Sequence, residues 1–151
     1  MRDVAFQDSE VLLEWRNLTE VRMFSRNQGL VAKETHTQWL KNRLKLMANE
    51  PFWIFENSLG KVGFVRFDID SASKNYEISI VINPAVRGKG FGKIVLGLAI
   101  ENCLIRNPNS NFFAVAHRDN LSSQFLFLKS GFKVTAQNGD FLTYKRLTNL
   151  N

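Results

Sequence analysis

The run Val86-Arg87-Gly88-Lys89-Gly90-Phe91-Gly92-Lys93 constrains this chain more than any other stretch. It follows a β-branched segment, Tyr76–Ile82, that Asn83-Pro84 closes, and it opens a long apolar segment from Ile94 to Arg106. The pattern predicts strand, glycine-rich turn, helix. Three glycines let the backbone fold closely about a ligand, and the first N–H groups of a helix have no partner within it. With the helix dipole behind them and Arg87, Lys89 and Lys93 beside them, such a turn suits a pyrophosphate. A solvated basic loop has the same composition, so the strand and helix on either side carry the reading.

The wording of the turn excludes two other phosphate motifs, because neither G-x-G-x-x-G nor G-x-x-x-x-G-K-[ST] is present. It reads Arg87-x-x-Gly90-x-Gly92. Some thirty residues later stands Asn120-Leu121-Ser122-Ser123-Gln124-Phe125-Leu126-Phe127-Leu128-Lys129-Ser130-Gly131-Phe132. Both segments resemble motifs of the GNAT superfamily of N-acetyltransferases. The first looks like the turn that holds the acetyl-CoA pyrophosphate, and the second like a later helix usually written N-x-x-A-x-x-x-Y-x-K-x-G-F. The resemblance covers nearly the whole chain. It implies the α/β (α+β) GNAT fold, with helices on both faces of a mixed sheet that splays between its fourth and fifth strands. It also implies acetyl-CoA as co-substrate, its pantetheine arm in the split, and no metal.

A chain of 151 residues fits one domain, 1–151, and 44% hydrophobic residues including thirteen Phe argue against disorder. No apolar run reaches membrane-spanning length, and Arg2-Asp3 does not read as a signal peptide. The single cysteine, Cys103, lies in an apolar helix and suits a buried small hydrophobe in a cytoplasmic protein. A net charge of +6 points to an anionic partner. The basic residues are scattered, without a K/R run, which argues against nucleic acid.

The pattern predicts a strand at 2–6 and a helix capped by Asp8 or Ser9, with Val11, Leu12 and Trp15 on one face. Residues 18–33 read as irregular around a turn at Asn27-Gln28-Gly29. Thr35 opens a helix to about Ala48, with Leu40, Leu44 and Met47 at core spacing. Phe52–Phe55 and Val62–Ile69 form a hairpin around Asn57-Ser58-Leu59-Gly60, and Asp70–Asn75 leads to the strand Tyr76–Ile82. Helix 94–106, apolar nearly all round, reads as central. Strand Phe112–Ala116, a helix 120–130 capped by Asp119, and strands near 132–136 and 141–147 complete the order βααβββαβαββ.

Acetyl transfer to an amine needs a held thioester, a polarised carbonyl, a neutral amine and a protonated leaving thiol. Residues 87–93 supply the first. The resemblance implies that backbone N–H groups near Val81 and Ile82, where the fourth strand usually bulges, supply the second. Glu77, the one carboxylate in strand 76–82, is the candidate base; the alternative is a strand residue paired with a cation. The chain departs from the family at the usual tyrosine acid, which is Phe127 here and donates no proton. Tyr76 and Tyr144 are the tyrosines left to replace it, and solvent protonation of a thiolate with a pKa of about 8.5 is the other route. Phe127 reads as packed beside the cofactor arm or as ordinary core. Asn120 reads as a helix cap, a cofactor contact or both, with Ser123 a weaker contact and Lys129 reaching either a cofactor phosphate or solvent.

The acceptor side falls in the N-terminal third. His36, Trp39 and Arg43 share one helix face, where an imidazole, a flat aromatic and a guanidinium would suit a nucleobase and its phosphates. Core packing for Trp39 and a structural salt bridge for Arg16 are the alternatives. Trp15-Arg16-Asn17 and His36-x-x-Trp39 resemble the acetyltransferases of UDP-linked 4-amino sugars on the route to pseudaminic acid, with Met23-Phe24 where that group has Met-Tyr. The resemblance implies acceptor roles for Arg16, Met23, Phe24, His36 and Trp39, with Arg66 and Glu77 beside them. Part of the Trp-Arg-Asn signature also resembles acetyltransferases of protein N-termini, including those of ribosomal proteins. A non-catalytic acetyl-CoA-binding domain is the third reading, supported by Phe127. The oligomeric state reads as monomer or homodimer.

Overall fold

Alternation along the central strands explains a sheet buried on both faces. In β2 (Phe52–Asn57), Phe52 and Ile54 enter one core while Trp53 and Phe55 enter the other, and all four are buried. In β3 (Gly60–Ile69), Phe64 faces the first core, and Val65 and Phe67 the second. The computed structural model describes residues 1–147. Its other strands are β1 (Arg2–Asp3), β4 (Tyr76–Ile82), β5 (Phe112–His117), β6 (Lys133–Asn138) and β7 (Phe141–Arg146). They form one mixed sheet in the order β1-β2-β3-β4-β5-β7-β6, antiparallel except for the parallel pair β4–β5.

Helices cover both faces, as the family resemblance implies. On one, α1 (Ser9–Asn17) and α3 (Lys33–Leu44) bury Leu12, Trp15 and Leu40. On the other, α4 (Phe91–Arg106) buries Val95, Leu96, Ala99, Ile100 and Cys103, and α5 (Leu121–Lys129) adds Phe127. Burial pushes the Cys103 thiol up to about 12, so it stays a protonated hydrophobe. No helix among the described residues is long and apolar enough to cross a membrane.

Several local expectations fail for identifiable reasons. Residues 18–33 contain a one-turn helix, α2 (Thr19–Arg22), whose first turn closes on the Leu18 carbonyl. Helix α3 starts at Lys33 and ends at Leu44, because Ala32 is extended and already accepts the His36 N–H at 3.0 Å. Asp8 makes no side-chain cap. Its buried carboxylate takes the Ala5 N–H (2.9 Å), Arg2 (2.8 and 2.9 Å) and Lys61 (3.1 Å) instead. Helix α4 is not buried all round, since Ile94, Leu98 and Ile105 share an exposed face. The cap of α5 is Asn120 rather than Asp119: Asn120 Oδ1 accepts the Ser123 N–H at 3.1 Å.

Candidate active site

Strands β4 and β5 pair at Tyr76–Phe112 and Glu77–Phe113 and then separate. Tyr76 donates its N–H to Asn111 O on the β5 side (3.0 Å), whereas Asn83 donates to Val62 O on the β3 side (2.8 Å). Two-residue alternation therefore turns the N–H groups of Ile80 and Ile82 into the split, and that of Val81 toward β3. Backbone groups in such a gap need water or a ligand, and an extended chain of amides fits them. Of the expected pair, Ile82 faces the split and Val81 does not. Nor does β4 bulge at 81–82. Its register with β3 is unbroken from Ile69–Tyr76 to Gly63–Ile82, and the irregularity falls one strand over, at Phe55/Glu56. Gly63 explains the close fit: a Cβ there would collide with the Val81 carbonyl oxygen and lie 3.1 Å from Ile82 Cα.

The glycine-rich turn closes one end of the split. Asn83 Oδ1 caps a single turn, Pro84–Val86, through Ala85 N (3.1 Å), and Asn83 Nδ2 ties it to Lys61 O (2.8 Å). Gly88 and Gly90 then take φ of +74° and +81°, the left-handed region that favours glycine. Gly90 is the N-cap of α4 and gives it no side-chain cap, so the helix presents its first N–H groups uncapped. Arg87 folds back, donating from Nε to Ile82 O at 2.9 Å and pairing with Glu20 at 3.3 Å. Arg87, Gly88, Gly90, Phe91, Gly92 and Lys93 line a cleft of about 1150 Å³ together with Val81 and Ile82; Lys89 stands outside it.

Asn120, Ser123 and Phe127 line the opposite wall. The Asn120 cap uses Oδ1 and leaves the Nδ2 donor for a ligand. Phe127 is both cleft wall and core, packed on Phe132 and Tyr144 at 5.4 and 5.6 Å between ring centroids. Neither tyrosine replaces it: Tyr76 donates its hydroxyl to Asn49 O (2.8 Å), and Tyr144 is fully buried outside the cleft lining. Lys129 and the exposed Phe125 ring, 5.4 Å apart, stand on the same wall.

The acceptor end is roofed by residues 18–31. Asn17 fixes this loop by bonding both backbone groups of Val31 at 2.9 Å. Three contacts then tie the roof across the cleft: Glu20 to Arg87, Arg26 to Glu77 at 2.9 Å, and the Phe24 ring to His117 at 5.7 Å. Glu77 thus lines the cleft in an ion pair, which was the alternative to its role as base. Met23 is half exposed and outside the lining.

The expected acceptor set divides between two cavities. His36 and Trp39 line a separate pocket of about 280 Å³ with Leu12, Val31, Phe52 and Phe64; Arg16 and Arg66 line both it and the main cleft. Burial pushes the His36 imidazole down, against a smaller opposing effect of the Ser9 backbone, and its Nε2 has no hydrogen-bond partner. Arg16 donates to Asn27 O at 2.7 Å, while its buried Nη1 has no partner. Burial first and then Arg22 disfavour the Arg16 charge. Trp39 does not present a bare face, because the Arg66 guanidinium lies 5.3 Å over its ring. Arg43 is not in the site at all; it is buried against Asp68 (3.1 Å) and Phe67 O (2.9 Å). Sequence reasoning missed Arg26, Glu20 and Gly63. A glycine inside a strand was a usable signal for the last; the other two sit in a stretch without periodicity.

A family model for the acetyltransferase (GNAT) domain matches residues 1–133. The chain belongs to the GNAT acetyltransferases. No curated protein sequence matches it. Among solved structures, a candidate acetyltransferase from Salmonella typhimurium with its cofactor acetyl-CoA is 20% identical, with 99% of this chain and 94% of that chain covered at a TM-score of 0.81. Spermidine N-acetyltransferase from Vibrio cholerae, in complex with CoA and spermine, is 17% identical over 97% and 94% of the two chains at 0.84. Ribosomal-protein-alanine N-acetyltransferase from Brucella melitensis is 22% identical over 97% and 98% at 0.78.

The acetyltransferase uses acetyl-CoA as acetyl donor. Its residues fit that group: an uncapped helix N-terminus behind two left-handed glycines, flanked by Arg87 and Lys93, leads into a split with unpaired strand N–H groups. No cluster of His, Cys, Asp and Glu among the described residues is arranged to hold a metal ion.

Proposed function

We propose that this acetyltransferase acts on the amino group of an anionic acceptor, the 4-amino group of a UDP-linked amino-deoxy sugar of surface-glycan synthesis. One observation carries the reading. Beside the donor turn's Arg87 and Lys93, the cleft is lined by Arg16, Arg26, Lys129 and Arg66, the last also paired with Asp68 at 2.7 Å, against two carboxylates, Glu20 and Glu77, each already paired with an arginine. A polyamine meets net positive charge there, and a nucleotide diphosphate meets its complement. Arg16 and Arg66 line both the cleft and the side pocket, so a diphosphate held between these two arginines would leave the base to Phe52, Phe64 and Val31, beside His36. The resemblance of Trp15-Arg16-Asn17 and His36-x-x-Trp39 to the pseudaminic acid enzymes points the same way. Residues 1–151 act as one domain, monomeric or dimeric, in the cytoplasm.

Acetyl-CoA supplies an electrophilic thioester carbonyl and a thiol leaving group. The N–H groups at the start of α4, with Arg87 and Lys93, hold its pyrophosphate. Ile80 and Ile82 offer N–H donors to the arm and the carbonyl, worth a few kcal/mol in the transition state. Glu77 takes the ammonium proton. With phenylalanine at 127, the leaving sulfur is protonated from solvent.

Thiol release from acetyl-CoA tests this with a UDP-4-amino-4,6-dideoxy sugar beside a panel of N-terminal peptides. His36→Ala and Trp39→Ala raise KM for the sugar nucleotide and leave acetyl-CoA affinity nearly unaltered; a loss of acetyl-CoA affinity instead would put the acceptor pocket elsewhere. Turnover of peptides alone would make the N-terminal third a protein-recognition surface. Acetyl-CoA binding without any product would leave a non-catalytic binding domain.

A further inference from the structure

Of the arginines at the acceptor end, Arg16 of α1 and Arg22 of the roof loop are anchored to backbone carbonyls, and Arg26 is not. Arg16 donates to Asn27 O at 2.7 Å, and Arg22 to Asn17 O and Gln28 O at 3.1 and 2.9 Å. Arg26 projects from the same loop, 61% exposed, and its ion-pair partner among the described residues is Glu77 across the cleft, at 2.9 Å. Glu77 occupies the last paired position of β4 and β5, where the split begins. The cation on the candidate base is therefore carried by a clamped loop on a side chain free to turn.

Resting on the reading of the acceptor as an anion, we infer that Arg26 is a specificity residue that covers Glu77 until that acceptor arrives. Its guanidinium leaves the carboxylate for the acceptor's phosphate, and Glu77 is then open to the ammonium. An N–H bond of the ammonium breaks and its proton moves to Glu77 Oε1. The nitrogen's freed electron pair forms the C–N bond, the nitrogen loses a second proton to solvent as the thioester C–S bond breaks, and the sulfur leaves with that bond's pair and takes a proton from solvent. The exchange is accessible because a partly exposed ion pair is weak, while a guanidinium grips phosphate through two parallel hydrogen bonds. An amine without a phosphate leaves the cover in place, so selectivity acts on activation of the amine as well as on affinity.

Arg26→Ala separates the two effects. With the UDP-linked amino sugar, KM rises about tenfold or more, and UDP titrated calorimetrically binds less tightly by a similar factor. With the same amino sugar lacking its nucleotide, kcat/KM rises about threefold or more, as expected for an uncovered base. Adding Glu77→Gln removes that rise, and Arg26→Lys restores part of the preference for the charged acceptor. Equal losses on both acceptors, no change on either, or a rise that survives Glu77→Gln would overturn the proposal. Should wild-type protein use neutral peptides and ignore the sugar nucleotide, the anionic-acceptor reading fails. The cover then stands or falls on whether Arg26→Ala raises peptide kcat/KM in a Glu77-dependent way.

Discussion

Glu20 and Arg87 meet at 3.3 Å across the mouth of the cleft, so the arginine nearest the pyrophosphate turn is already held by a carboxylate from α2. Both side chains are partly exposed, and such pairs contribute about 0–1 kcal/mol. Glu20→Gln should free Arg87 and tighten acetyl-CoA binding by up to about fivefold, the same energy expressed as affinity. Isothermal titration checks this, and weaker binding in the variant would mean that Glu20 shapes the roof instead.

At Gly90 the restriction is conformational and not steric. A Cβ there meets nothing within 4 Å, but φ is +81°. Gly90→Ala should cost about 1–2 kcal/mol of turn stability, or roughly tenfold in acetyl-CoA affinity. Gly92→Asp differs in mechanism, since it sets a carboxylate among the N–H groups meant for the pyrophosphate. It should abolish measurable acetyl-CoA binding with the fold retained by circular dichroism. Undiminished affinity in both variants would remove the turn from the donor site.

Gly63 controls β4 from behind. Because a Cβ there would strike the Val81 carbonyl, Gly63→Ala must push β4 away from β3 just where Ile82 faces the split. Overpacking of this sort costs about 1–3 kcal/mol. The accompanying shift of the Ile82 N–H should lower kcat more than it raises KM for acetyl-CoA. Thermal unfolding and steady-state kinetics together check it; a destabilised variant with normal kcat would deny Ile82 its part.

Acid should weaken the fold in two stages. The buried His36 has its pKa pushed below the ordinary value, so its stabilising neutral form is complete above about pH 6.5 and lost as pH falls from there through the folded-state pKa. Asp8, held by Arg2 first, with Ala5 N–H and Lys61 also favouring its ionised form, lies well below the usual carboxylate range. Its contribution is complete above about pH 4 and fades only as pH falls further, through its depressed pKa. In urea titrations, His36→Gln should flatten the first stage. Asp8→Asn should flatten the second and cost about 3 kcal/mol at neutral pH. A single transition unchanged by either substitution would contradict these assignments.

The central sheet was legible because short aromatic and β-branched runs stand between turn residues, and the donor turn because glycine spacing, flanking cations and a following helix coincide. Helix caps were less legible: Asp8 and Asp119 have the right side chain in the right place, but an ion pair claims the first and a neighbouring asparagine, Asn120, displaces the second. Arg43 misled because helical spacing puts it on the His36–Trp39 face, while only the fold brings Asp68 beneath it. Arg26 and Glu20 escaped notice because their partners lie 51 and 67 residues away, Glu77 and Arg87, with no periodic pattern between them.

The most direct test of the account is a competition followed by mass spectrometry. Wild-type protein, limiting acetyl-CoA and equal concentrations of a UDP-linked 4-amino sugar, an N-terminal peptide and spermidine are combined in one reaction. The account predicts that the acetyl group is found on the amino nitrogen of the sugar nucleotide. Acetyl found chiefly on the peptide or on spermidine would contradict it.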